Sequence, residues 1–218
     1  MTETQENSAS AGAQGFPDSI GFGFAELIAL LNLQKGEEAN KSGAALRLEA
    51  EMKETTLISA GASSLVARGL ATVVEGGELA VSGPVAAVTS ALTTSAKRVQ
   101  IDLLTADHID NVLSVESKDF SILLQPRAYL SWFAMAQKPE LSTAEANFYI
   151  VRKHLEDNPS GGAAISLLEG KERVRLLIKA EDAAWTVATN NPDGTVVDEN
   201  SGLNDAEVVK RIRLIRQD

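Results

Sequence analysis

Residues 60–104 (AGASSLVARGLATVVEGGELAVSGPVAAVTSALTTSAKRVQIDLL) leave little freedom in what they can fold into. Ala62, Leu65 and Val66 recur at helical spacing, and Arg68-Gly69 supplies a cation and a left-handed stop at that helix's C-terminus. The short runs 70–74 and 78–81 flank Gly76-Gly77, the two-residue signal for a hairpin with a primed turn. Pro84 suits the first turn of a second helix. Beyond it, Val99, Ile101 and Leu103 alternate with Gln100 and Asp102, as in a half-buried strand. The block helix, hairpin, helix, strand is architectural and holds no catalytic pattern.

The rest of the chain continues in the same alternating manner. Residues 1–17 (MTETQENSASAGAQGFP) are small and polar and are expected to be disordered. An amphipathic helix is expected over 22–35, with Phe24, Leu27, Ile28 and Leu31 on its apolar face and Gly36 at its end. Leu46, Leu48, Ala50 and Met52 alternate with charged residues, which predicts a strand over 46–53. Two more strands are expected at 112–116 and 120–124, joined by a turn at 117–119. The aromatic stretch 129–136 (YLSWFAMA) fits helix or strand equally well. Ser142 or Thr143 caps a further helix striped by Phe148, Val151 and Leu155. Residues 158–162 break it, a hairpin follows around 169–171, and a strand at 183–189 leads to the turn 191–194 (NPDG) and an acidic loop. A closing helix from about residue 203 buries Val208, Ile212 and Ile215, with Lys210, Arg211, Arg213 and Arg216 on its other faces.

This order predicts an α+β fold with a largely antiparallel central sheet flanked by helices. It permits two similar halves related by a pseudo-two-fold axis. The 218 residues give one domain over 18–218, divisible into subdomains of 18–125 and 126–218. The chain is 44% hydrophobic but only 5% aromatic, so its core is built from small and aliphatic side chains. The absence of cysteine excludes disulfides and thiolate metal sites. No segment approaches the roughly 18 apolar residues of a membrane span, and the start lacks a basic patch followed by an apolar run. The expected location is the cytoplasm. A net charge of −10 repels duplex nucleic acid at long range unless a local basic face compensates.

Chemistry-bearing patterns are sparse. His108 sits beside Asp107 and Asp110 in a solvated loop, and His154 lies near a helix C-terminus, where the dipole favours it. Residues 189–200 (TNNPDGTVVDEN) superficially resemble a calcium loop, but Thr189 and Asn200 stand where Asp and a bidentate Glu are needed. Nucleophile-elbow, Walker A and dinucleotide-binding patterns are absent. Paired carboxylates such as Glu37-Glu38, Glu49 with Glu51, and Glu181-Asp182 are ordinary for an acidic surface. Residues 57–81 have the outline of a winged helix, but Glu75 and Glu78 flank the wing and Arg68 is the lone cation on the helix before it. No metal, cofactor or catalytic residue is therefore expected, and nucleic-acid binding and a cryptic enzyme stand as alternatives to protein binding.

The motifs Arg68-Gly69-Leu70, Gly76-Gly77-Glu78-Leu79, the helix at 84–92 and the strand at 99–103 resemble the N-terminal half of EspG-type chaperones of type VII (ESX) secretion in actinobacteria. The C-terminal order is similar too, with Trp185-Thr186-Val187 as a late strand, then an acidic loop and a closing amphipathic helix. The resemblance implies a cytosolic, non-enzymatic chaperone with a quasi-two-fold α+β fold that masks the apolar tip of a helical PE–PPE-type secretion substrate. It further implies binding through the central sheet and C-terminal helices. On that basis the partner-binding residues are expected to be Ile178 and Trp185, together with the aromatic group Tyr129, Trp132 and Phe133.

Overall fold

A computed structural model describes residues 19–137, 140–169, 173–181 and 183–218. The polar segment 1–17 lies outside the described residues. The N-terminal half contains β1 (Ile20–Gly23), α1 (Phe24–Leu33), α2 (Glu37–Ala45), α3 (Thr55–Ala67), a small hairpin of β2 (Thr72–Val73) and β3 (Leu79–Ala80), and α4 (Gly83–Thr93). A meander follows: β4 (Lys97–Leu104), β5 (Ile109–Glu116), β6 (Ser121–Arg127) and β7 (Ser131–Ala136). Next come α5 (Thr143–Asp157), a second meander of β8 (Gly162–Leu167), β9 (Arg175–Glu181), β10 (Ala184–Asn190) and β11 (Val196–Leu203), and finally α6 (Asp205–Arg216). One nine-stranded antiparallel sheet runs in the order β1-β7-β6-β5-β4-β8-β9-β10-β11. The α+β class and central antiparallel sheet are as expected.

The meanders run outward from the β4–β8 pair, where Ile101 faces Ile165, and each is preceded by a helix. The helices lie on opposite faces of the sheet. Directly opposed residues of an antiparallel pair share a face, so the register divides the sheet into two faces. The first carries Leu113, Val115, Leu124 and Ala134, and these pack with α1 and α4 residues Leu27, Leu30, Val88 and Leu92. The second carries Val99, Ile101, Ile165 and Ile178, and these pack with Phe148 and Val151 of α5 and Val208 and Ile212 of α6. One helical layer covers β5–β7 from one side, and the other covers β4 and β8–β10 from the opposite side. The boundary expected near residues 125–126 falls inside β6; the connection between meanders comes after β7.

The helices end as their sequences dictate. At the end of α3, Gly69 adopts φ 69°, its N–H bonds the Val66 carbonyl, and the Leu70 N–H bonds the Leu65 carbonyl. These are the two bonds of a Schellman motif. The hairpin turn places Gly76 at φ 93° and Gly77 at φ 81°, a conformation glycine adopts without a Cβ clash. Gly61 answers to a different need: a Cβ there would stand 1.8 Å from the Ala25 carbonyl oxygen, so its absence lets α1 and α3 cross at backbone contact.

Three expectations are corrected. Residues 46–53 form no strand. The helix α2 runs through Ala45 and ends in a second Schellman motif, with Arg47 at φ 61° and the Leu48 N–H on the Gly43 carbonyl; a short 3-10 turn at Glu51–Lys53 follows. That turn buries Leu46 and Leu48 and exposes Arg47 and Glu49, which imitates the alternation of a strand. The acidic loop after residue 194 is instead the edge strand β11, offset from β10 by two register shifts. The helix expected from residue 22 starts at Phe24, because residues 20–23 pair with β7.

Candidate functional site

The opposed placement of the helical layers leaves half of each face bare. On the first face no helix packs over β8–β10: Ala164, Ser166 and Ala188 are buried among their strand neighbours, Lys179 is exposed and Thr186 half-buried, with Leu177 as the one large apolar side chain. The neighbouring polar groups satisfy one another: Arg175 donates to Asp102 at 2.9 Å and Thr186 to Glu181 at 2.7 Å.

The bare half of the second face is different. Leu123, Met135 and Phe133 come from β6 and β7, next to the buried Val112 of β5, and α5 stands along one side of them. Between helix and strands lies a groove of about 730 Å³. Its strand floor is Leu103, Val112, Leu123 and Met135. Its helical wall is Ala146, Tyr149, Ile150, Lys153, His154 and Asp157, one stripe of α5 at i, i+3, i+4, i+7, i+8 and i+11. From Ala146 to Asp157 this wall is about 16 Å long, or about three helical turns. The opposite stripe of α5, Ala144, Phe148, Val151 and Leu155, is buried in the second-face core.

The sequence of α5 fixes this wall. The Ser142 hydroxyl accepts from the Glu145 N–H and the Glu145 carboxylate accepts from the Ser142 N–H, a capping box that sets the first turn. Those bonds, with Ser142 as main cause, hold the Glu145 carboxyl below its ordinary value. At the far end, Lys153 pairs with Asp157 and a His154 ring nitrogen contacts the Leu104 carbonyl at 3.1 Å.

The residues singled out from sequence are not gathered in one place. Phe133 lies on the second face, 38% exposed, two residues from Met135 and beneath the Arg127 guanidinium. Tyr129 is 99% exposed at the β6–β7 turn, and Trp132 faces the other way, packed against the first-face core. Ile178 is closed inside the second-face core. Trp185 meets Phe148 edge-to-face at 5.3 Å and donates its indole N–H to Asp205, locking β10 to α5 and α6. Only Phe133 adjoins the groove. The other groove residues were legible only as half of an alternation: in 121–124 (SILL) consecutive apolar residues signal a strand with both faces apolar.

A nucleic-acid face would need free cations near the winged-helix outline, and Arg68, Lys97 and Arg98 are all engaged within the chain. Arg68 donates to Glu26 at 2.6 Å, Lys97 pairs with Asp218, and the buried Arg98 donates to Glu38 at 2.7 Å and Glu169 at 3.0 Å. Burial works to raise the Glu26 carboxyl, but hydrogen bonds from Ser64, the Gly23 N–H and Arg68 hold it below its ordinary value. Arg98 lowers Glu38 in the same way. Arg216, expected on a solvated face, is buried and donates to Asn147, Glu116 and Asp218. His108 stands in the exposed β4–β5 turn, bonded to Thr105. Among the described residues, no group of three or more His, Cys, Asp or Glu side chains could hold a metal ion, and no helix is long and apolar enough to cross a membrane. No protein-family model matches the chain, and no curated protein aligns with it significantly.

Proposed function

We propose that this protein is a non-enzymatic protein-binding module, acting as a cytosolic chaperone that shields the apolar surface of a helical secretion substrate. The carrying observation is the groove beside α5: an apolar, three-turn channel between a helix and a bare sheet face. An amphipathic helix binds by laying residues at i, i+3, i+4 and i+7 into a channel of this kind. The motif likeness to EspG-type chaperones points the same way, toward a PE–PPE-type helical hairpin as cargo. The engagement of Arg68, Lys97 and Arg98 in ion pairs weighs against the nucleic-acid alternative, since phosphate contacts need cations that are not already paired.

The test places a photo-crosslinking residue at Met135 and compares affinity capture by the wild type with that by Met135→Glu. A small helical partner crosslinked through position 135, and lost with Met135→Glu, is the expected result. Equal capture by both proteins removes the groove as the binding surface. Retention on heparin with a steep salt dependence moves the function to nucleic acid.

A further inference from the structure

The first face carries a second cavity, separate from the groove, at the margin of the N-terminal helical layer. Its volume is about 270 Å³. That is just under the roughly 300–1,000 Å³ of small-molecule sites, and too small for a helix. Phe24, Pro126, Leu130 and Trp132 supply apolar walls, Pro126 and Trp132 being directly opposed across β6 and β7. Arg47 and Glu51, both from the segment after α2, supply a cation and an anion, and Asn111 adds a carboxamide. Among the described residues neither Arg47 nor Glu51 forms an ion pair.

Three non-glycine residues at positive φ gather around this cavity, while Ala183, Asp198 and Gln217 hold the same conformation elsewhere. The helices α2 and α3 end in the same motif, yet α3 uses Gly69 at the left-handed position and α2 uses Arg47. The β6–β7 turn puts Tyr129 at φ 60° and Leu130 at φ 54°, where glycine or asparagine would be unstrained. Arg47 and Leu130 line the cavity and Tyr129 adjoins it. Strain of this kind persists where a side chain is needed for its chemistry.

We propose that this cavity binds a zwitterion of amino-acid size with a flat or branched apolar side chain. The guanidinium of Arg47 takes its carboxylate, Glu51 takes its ammonium, and the side chain lies among Phe24, Pro126, Leu130 and Trp132. A cation and an anion four residues apart above apolar walls complement a free amino acid, whereas an internal stretch of polypeptide carries neither charge. The site faces away from the groove and does not rest on the partner-binding reading.

The experiment is calorimetric titration of the full chain with L-tryptophan, L-phenylalanine and L-leucine. Phenethylamine and phenylpropionate serve as analogues lacking one charge each. Saturable binding of at least one amino acid is expected, weakened about tenfold or more for each analogue and in Arg47→Gly and Glu51→Gln. Because glycine suits the left-handed position, Arg47→Gly should melt no lower than the wild type while losing the ligand, which separates binding from folding. Met135→Glu, in the groove, should bind the amino acid normally. Absence of saturable binding by all three probes, affinity unchanged in both charge variants, or loss of binding in Met135→Glu would each overturn the proposal.

Discussion

The two bare halves of the sheet differ in one respect that decides their meaning. Over β8–β10 the first face carries no helix, but its side chains are small or polar, Ala164, Ser166 and Ala188 are buried among their neighbours, and Asp102 and Arg175 neutralise each other. Water is an adequate partner for such a surface. Over β6–β7 the second face is only partly covered, with Leu123, Met135 and Phe133 on it, beside a helix that turns a partly apolar stripe toward them. Large contiguous apolar patches mark interaction sites on soluble proteins. The same fold thus sets a polar, self-satisfied half-face beside one that leaves larger apolar side chains partly open, as the proposed partner-binding role requires.

Paired substitutions test that contrast. The largest expected effect is at Arg98, a cation on the first face that is buried under α2 and holds Glu38, Glu169 and Ser42. Arg98→Ala should lower the free energy of unfolding by about 3–5 kcal/mol in urea titrations. Leu124, fully buried on β6 beneath the N-terminal helices, comes next; Leu124→Ala should cost about 2–5 kcal/mol. Acid should have a smaller effect, acting on the joints between layers. The carboxyls of Glu26, Glu38 and Asp218 are held below their ordinary values in the folded protein, so their contribution is complete above their unfolded values and is lost as pH falls toward the folded ones. Melting temperature should therefore stay level from pH 7 to about 5 and fall below that. The smallest effects on stability belong to the bare halves. Leu123→Ala on the second face and Arg175→Ala on the first should each cost under about 1 kcal/mol, yet only Leu123→Ala should weaken capture of the partner. A loss at Leu123 as large as that at Leu124 would mean that the second face is covered in the free protein.

Much of the fold was legible because local chemistry and tertiary structure agree. Gly76-Gly77, Arg68-Gly69, Pro84 and the Ser142–Glu145 box each mark a turn or helix end that forms. Residues 46–53 misled because a Schellman turn buries alternate residues as a strand does. The strand β11 was hidden because VVDENSGL lacks alternation, and positive φ at Asp198 and Gly202 breaks its pairing with β10. Arg216 looked solvated because its partners Glu116 and Asn147 lie far away in sequence. The groove was least legible of all. Alternation shows that a strand has two apolar faces, but which face a helix leaves bare depends on where α5 comes to rest after the chain leaves β7.

The central strand has a consequence for the order in which the molecule is made. Even-numbered β4 residues such as Arg98 hold the N-terminal layer, while Val99, Ile101 and Leu103 belong to the core closed by α5 and α6. A ribosome that has just released Leu104 has about 108 residues still to add before Ile212 can cover them. At roughly 5–20 residues per second that is an interval of roughly 5–20 s. Until α5 and then α6 are added, Val99, Ile101 and Leu103 of β4 lack the helices that bury them. The face that the finished fold closes with α5 and α6 is thus open for part of the chain's own synthesis.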